Sequence, residues 1–189
     1  MGYNHPELNW RTIETEHFFV HFHQNMDRTP YIVAEVAESV FEPVTQLYQF
    51  IPDEKVHLIF QDTEDMSGGA TYYYDNKILI TATPMDFALR GTANWLHNVI
   101  THEFAHMIHL QRARKLTRHV PAAFFQWIGY EQEKRDDVVY GFPNILVSYP
   151  IAFTIMPNWF AEGVAQYTSM KFGYDHWDAH RDMILRMRV

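Results

Sequence analysis

The chain has 189 residues, of which 47% are hydrophobic, and this suits one folded domain over residues 1–189 rather than a disordered segment. A formal charge of -8 disfavours nucleic acid as a partner, and the absence of cysteine excludes disulfides, thiolate catalysis and cysteine-ligated zinc. No apolar run approaches the roughly 20 residues of a membrane span. Residues 1–6 lack the features of a signal peptide, so we expect a cytosolic protein or one whose signal was removed.

The first half of the chain carries the predicted strands. A β-prone run over 17–23 precedes apolar residues at helical spacing over 31–50, where Pro43 should kink or split the helix. Residues 56–60 form the next predicted strand. Further along, two short β-prone runs flank the turn-prone pair Asp75-Asn76 and predict a hairpin.

The second half is predicted to be mainly helical. The predicted helices cover residues 95–114, 121–134, 158–171 and 175–189. Asn158 is the candidate N-cap of the third helix. This order indicates the α+β class, with a small mixed sheet in the strand-rich N-terminal half and a helical C-terminal half. Because the last residues fall inside a predicted helix, we expect the chain to be part of a longer protein.

The strongest chemical signal is the run His102-Glu103-Phe104-Ala105-His106. Four residues make just over one helical turn, so both histidines project from one face and can bind one zinc ion through imidazole nitrogens. Glu103 lies beside the metal and can act as general base toward a zinc-activated water. The chain's composition gives an expected count of about 0.05 for such a match, which favours a metal site over a surface helix in a histidine-rich protein.

Two histidines and a water need a third protein ligand. His109 lies three residues beyond His106, but one short helix rarely directs three ligands at one ion, so a packed or solvated histidine is the simpler interpretation. Glu162 is the other candidate, because a carboxylate in an otherwise apolar helix start is costly to bury without a partner. Gly163 could let that helix approach the histidine helix closely. The alternative is an ordinary exposed glutamate favoured by the helix dipole.

The runs H-E-F-A-H and W-F-A-E-G-V-A together resemble the gluzincins, including the aminopeptidase N-like enzymes with H-E-x-x-H and W-x-x-E-G-x-A. The resemblance implies one zinc ion held by His102, His106 and Glu162, with Glu103 as the general base. Residues 107–161 separate His106 from Glu162, and this interval is much longer than in those enzymes. In this respect the chain resembles the peptidase MA-like domains of bacterial exported proteins. That implies export to the periplasm or exterior, and a C-terminal TolB-type β-propeller in the full protein.

The resemblance also suggests roles around the zinc. In gluzincins an edge strand before the histidine helix binds extended substrate, and its candidate counterpart here is Gly69, Ala70, Thr71 and Tyr72; a plain structural hairpin is the alternative. Gluzincins use a tyrosine or histidine to stabilise the oxyanion. The candidates here are Tyr149, Tyr167, Tyr174 and His109. Asn98 and Gln166 are candidates to orient the histidine ligands.

The predicted function is therefore zinc-dependent hydrolysis of a peptide or protein substrate. The G-A-M-E-N run, which holds the substrate's free amine in aminopeptidases, is missing, so endopeptidase activity is favoured over aminopeptidase activity. One alternative is a catalytically silent zinc-containing module that binds peptides or proteins together with the adjoining propeller. Another is a purely structural zinc site, although such sites usually have four protein ligands that include cysteine.

Overall fold

A computed structural model of the protein describes residues 5–26, 28–63, 67–73, 75–81, 94–113, 157–175 and 187. Five strands and three helices fall within these ranges. In chain order they are β1 (Trp10–Glu14), β2 (Phe18–His23), α1 (Thr29–Tyr48), β3 (Val56–Gln61), β4 (Gly69–Tyr72), β5 (Lys77–Thr81), α2 (Trp95–Ala113) and α3 (Asn158–Lys171).

The strands form one mixed sheet in the order β1-β2-β3-β5-β4. The inner neighbours β2, β3 and β5 run parallel, whereas β1 and β4 pair antiparallel at the two edges. The parallel pairing of β2 and β3 needs a crossover connection, and α1 provides it. With α2 and α3 following the strands in sequence, the fold is α+β, as the sequence predicts.

One face of the sheet forms the core, because alternate residues of its inner strands are buried. In β3, for example, Val56, Leu58 and Phe60 are buried, whereas His57 and Ile59 are only half-buried. The helices α1 and α2 cover this face, and α1 contributes a valine stripe at helical spacing: Val33, Val36, Val40 and Val44.

Helix α2, which carries the histidine motif, packs into this core through its apolar residues. The ring of Phe104 lies 5.4 Å from that of Phe18 and 5.6 Å from that of Phe41. Near the end of the helix, buried Gln111 donates from Nε2 to the Tyr73 carbonyl and to Asn76 Oδ1, both at 3.0 Å. These bonds tie the β4–β5 hairpin to α2, so β4 lies beside the histidine motif.

Some local predictions are confirmed and others are wrong. The hairpin is present, and Asn76 occupies its turn with a φ of 52°. Pro43 does not split α1, which continues through it; Pro43 is exposed, so the carbonyl one turn earlier can turn toward water. Asn158 is not the N-cap of α3, because Pro157 holds that position and Asn158 is already helical.

Strand β1 was missed, because its burial pattern is mostly exposed and lacks the regular apolar alternation by which strands are recognised. The predicted helix over 121–134 lies outside the described residues, as does that over 175–189 apart from its first residue and residue 187. No helix within the described ranges has both the length and the hydropathy to cross a membrane.

Candidate metal centre

His102 and His106 project from one face of α2, as their spacing requires. Their Nε2 atoms are 3.1 Å apart. The two imidazole rings meet edge to face, with centroids 4.8 Å apart and planes inclined by 78°. Both lone-pair-bearing edges therefore converge on one point beside the helix.

Glu162 supplies the third atom at that point. Its Oε2 lies 3.2 Å from Nε2 of His102 and 3.4 Å from Nε2 of His106. Ligands placed tetrahedrally at about 2.0–2.1 Å from a zinc ion stand roughly 3.3 Å from one another, so the triangle has the edge lengths of such a site. These three residues could hold a metal ion, and the structure brings them together across residues 107–161.

Helix α3 packs against α2, which brings Glu162 to the histidine pair. Ala165, Thr168 and Ser169 are the buried residues of α3. The hydroxyl of Thr168 also lies 2.7 Å from that of Tyr48 in α1, which anchors the helix. The predicted role of Gly163 is wrong, because a Cβ added there would meet no described atom within 4 Å.

Burial controls the charge state of His106 in the metal-free chain. His106 is 7% exposed, and burial, followed by repulsion from His102, lowers its pKa to about 4, although Glu162 opposes the shift. His106 is therefore neutral at pH 7 and offers a lone pair, which is the form that ligates metals. In contrast, the side chain of Glu162 is 65% exposed, so the cluster opens to solvent on the α3 side.

Glu103 packs against strand β4. The hydroxyl of Thr71 lies 2.7 Å from its Oε2 and 2.8 Å from its main-chain oxygen. Burial raises the pKa of Glu103 to about 7; the Thr71 hydrogen bond opposes this shift, and the nearby charge of Glu162 adds to it. The metal-free chain thus has a carboxyl group that can gain and lose a proton near neutral pH.

His109 does not join the metal cluster. Its ring lies between those of Tyr48 and Phe160, with centroid distances of 5.8 and 5.9 Å. Its Nδ1 is buried and has no hydrogen-bond partner among the described residues. His109 is therefore a packed histidine in this structure, as the sequence favours.

The other predicted accessory residues lie in separate surroundings. Tyr167 is 58% exposed, and its ring lies beneath the ammonium group of Lys171 at 6.0 Å. Tyr174 packs against the ring of His97 at 5.0 Å. The amide of Gln166 donates to Asp175, and Asn98 is buried one turn before His102. Tyr149 lies outside the described residues.

The predicted substrate strand is an edge strand. β4 lies at the end of the sheet and pairs with β5 alone among the described strands, in the register Ala70 to Leu79 and Tyr72 to Lys77. Thr81 N–H donates to the Gly68 carbonyl at 3.0 Å, in the same register. Because hydrogen-bonded pairs alternate in an antiparallel ladder, the main-chain groups of Gly69 and Thr71 point away from β5.

Sequence reasoning missed two functions of residues around the cluster. It did not assign Thr71 to Glu103 or Tyr48 to Thr168, since both contacts join elements far apart in the chain. The packing face of α3 could have been predicted, because the small residues Ala165 and Ser169 follow Glu162 at helical spacing of three and seven.

Comparisons of the chain with protein-family models, with curated proteins and with solved structures find no match.

Proposed function

We propose that this protein is a zinc metallopeptidase of the gluzincin type that hydrolyses peptide bonds. The observation that carries the proposal is the convergence of His102 Nε2, His106 Nε2 and Glu162 Oε2 within 3.1 to 3.4 Å of one another. Two imidazoles and one carboxylate are the ligand set of many catalytic zinc sites. The gluzincin-like motif pair around these residues agrees with that assignment.

The types of ligand favour zinc, and the number of protein ligands, which is three, favours a catalytic site. Imidazole nitrogens disfavour calcium and magnesium, which prefer oxygen ligands. Among the described residues no fourth side chain joins the three, whereas a structural site would need one. A zinc ion bound here would act as a Lewis acid that activates a water molecule and polarises the substrate carbonyl.

Glu103 is suited to move the proton during hydrolysis. It follows the first histidine directly, is 7% exposed and has its carboxylate fixed by the Thr71 hydroxyl. A carboxylate in this position can take a proton from the attacking water and return it to the leaving amine. Its burial keeps bulk water from the carboxylate, which strengthens the electrostatic interactions of Glu103.

The edge strand supports an extended peptide as the substrate. Gly69 and Thr71 direct main-chain groups away from β5, and a substrate strand can pair with such groups without regard to its side chains. This mode of binding does not require a chain terminus. It agrees with an endopeptidase more than with an aminopeptidase.

The test combines metal analysis with peptide cleavage. We expect one zinc ion per chain after zinc loading, and cleavage within the peptides of a mixed library. Glu103→Gln should bind zinc as wild type does and lose at least about 100-fold in kcat, because a general base contributes 10²–10⁴-fold. Glu35→Gln is the matched control, since Glu35 is exposed on α1.

Two results would count against the proposal in different ways. If Glu103→Gln keeps full activity with zinc bound, the general-base assignment is wrong. If the zinc-loaded wild type cleaves no peptide in the library, the catalytically silent binding module becomes the better assignment.

A further inference from the structure

We infer that Gly69 and Thr71 of β4 form a seat that positions the Glu103 carboxylate, so that the edge strand acts on the general base as well as on substrate. Both are positioning residues that act through Glu103. The inference rests on the proposed function for its catalytic consequence. Its structural part concerns the metal-free chain and can be tested independently.

Thr71 provides the directional half of the seat. Its hydroxyl lies 2.7 Å from Glu103 Oε2, within the range of a hydrogen bond to a carboxylate. The same hydroxyl lies 2.8 Å from the main-chain oxygen of Glu103, so it bridges the side chain to its own backbone. A single hydroxyl proton therefore restricts rotation of the glutamate side chain relative to α2.

Gly69 provides the steric half of the seat. A Cβ built there would lie 2.6 Å from Cγ, 2.7 Å from Oε1 and 2.9 Å from Cδ of Glu103, all closer than real Cβ contacts. The Glu103 side chain thus occupies the volume that a side chain at 69 would fill. Gly69 does not have a positive φ, so backbone conformation does not demand glycine here. The demand comes from Glu103.

The same two residues form the outward-facing part of the edge strand. Gly69 and Thr71 are two apart, so both lie on the face of β4 that meets α2, and their main-chain groups point away from β5. A peptide strand paired at this edge would bond to the backbone of the residues that hold the base. Replacing the Thr71 side chain leaves those backbone groups in place.

The structural test is a double-mutant cycle on thermal unfolding of the metal-free chain. Gly69→Ala should lower Tm by about 5 °C, because the added methyl group overpacks the space that Glu103 occupies. In the Glu103→Ala background the same substitution should change Tm by less than about 2 °C, since the clashing atoms are gone. Gly68→Ala is the control, because a Cβ there meets no described atom within 4 Å.

The catalytic test compares Thr71→Val with Thr71→Ser in the zinc-loaded enzyme. Valine keeps the shape of threonine but removes the hydroxyl, so kcat should fall about 10- to 100-fold while KM stays within about threefold. Serine retains the hydroxyl and should restore kcat to within about threefold of wild type. Zinc affinity should be the same in all three proteins, because Thr71 touches no metal ligand in the described contacts.

The outcomes separate this inference from the proposed function. If Gly69→Ala is equally harmful with and without the Glu103 side chain, the steric seat is wrong. If the wild type cleaves peptides and Thr71→Val keeps its kcat, the positioning role is wrong while the metallopeptidase stands. If the wild type is inactive but the stability cycle shows coupling, the seat stands and the proposed function fails.

Discussion

The two carboxylates beside the histidine pair sit in contrasting surroundings. Glu103 is 7% exposed and faces strand β4, where the Thr71 hydroxyl bonds to its carboxylate and Gly69 leaves room for its side chain. The side chain of Glu162, on helix α3, is 65% exposed and lies against His102 and His106. One carboxylate is enclosed by the sheet edge, and the other is delivered by a helix at the open side.

This difference suits the separate tasks proposed for the two groups. A general base works best with a pKa near the working pH, and in the metal-free chain burial raises the pKa of Glu103 to about 7. A metal ligand needs a correct position rather than a tuned proton affinity, and the docking of α3 sets the position of Glu162. Substitutions on the two sides should therefore have separable effects.

The largest effect is expected on the open side, from loss of the third ligand. Glu162→Ala should weaken zinc binding at least about 100-fold, because even partners outside the ligand set are worth 10–100-fold. The stability of the metal-free chain should change by less than about 0.5 kcal/mol, since the side chain is exposed. Competition with a chromophoric chelator measures the affinity, and urea unfolding measures the stability.

Two controls sharpen that result. Glu35→Ala, on the exposed face of α1, should leave zinc affinity unchanged. His109→Ala should also leave the affinity within about threefold, since His109 packs between Tyr48 and Phe160. A large loss of affinity in His109→Ala together with a small one in Glu162→Ala would reverse the assignment of the third ligand.

The next effect concerns the enclosed side and depends on pH. In the metal-free chain the pKa of Glu103 in the folded state is about 7 against an ordinary value of 4.5, so the native state holds a proton that the unfolded state releases. The free energy of unfolding should therefore fall by about 3 kcal/mol as pH rises from about 4.5 through 7, and level off above. Below about pH 4.5 Glu103 is protonated in both states, so the free energy of unfolding no longer depends on pH through this group.

Urea unfolding in the presence of a chelator, at pH 5 and pH 8, tests this slope against Glu103→Gln. The variant keeps the shape of the side chain but cannot ionise, so its stability should depend less on pH than that of wild type. The rest of the sequence is the same in both proteins, so the difference between their pH profiles reports on Glu103. Parallel pH profiles for the two proteins would show that Glu103 is ionised with its ordinary pKa.

A smaller effect is expected at the anchor of α3. Tyr48→Phe removes the hydroxyl that lies 2.7 Å from Thr168 Oγ1, while Thr168 keeps its bond to the Val164 carbonyl at 2.8 Å. Loss of one such hydrogen bond should lower the free energy of unfolding by about 1 kcal/mol. Zinc affinity should fall by a few fold at most, because the buried face of α3 remains. No change in stability would mean that this hydroxyl pair does not hold the helix.

The shared face of the histidine pair was predictable from the sequence, whereas the docking of α3 and the contacts of Glu103 with β4 were not. The spacing of His102 and His106 fixes their common face, because helix geometry is local. The alternation in β3 and the valine stripe of α1 likewise predict the core. In contrast, the approach of Glu162 depends on how α3 docks, which periodicity cannot specify across residues 107–161.

Glycine shows the same limit most clearly. Gly69 lies against Glu103 in space, and Gly163 follows Glu162 in sequence. The sequence alone suggested a packing role for Gly163. The structure assigns that role to Gly69, whose absent side chain makes room for Glu103. Such a requirement depends on which element faces the glycine, and that is a property of tertiary structure.

The smallest expected effect concerns these two glycines. Alanine should stabilise the chain at one of them and destabilise it at the other. Gly163 lies within α3, is exposed, and a Cβ there would meet no described atom within 4 Å. Because glycine costs about 0.5–1 kcal/mol relative to alanine in a helix interior, Gly163→Ala should raise the free energy of unfolding by roughly that amount. Gly69→Ala should lower it. Urea unfolding of the two variants in the metal-free chain measures both effects. Destabilisation by Gly163→Ala would support the interpretation that α3 approaches α2 closely at Gly163.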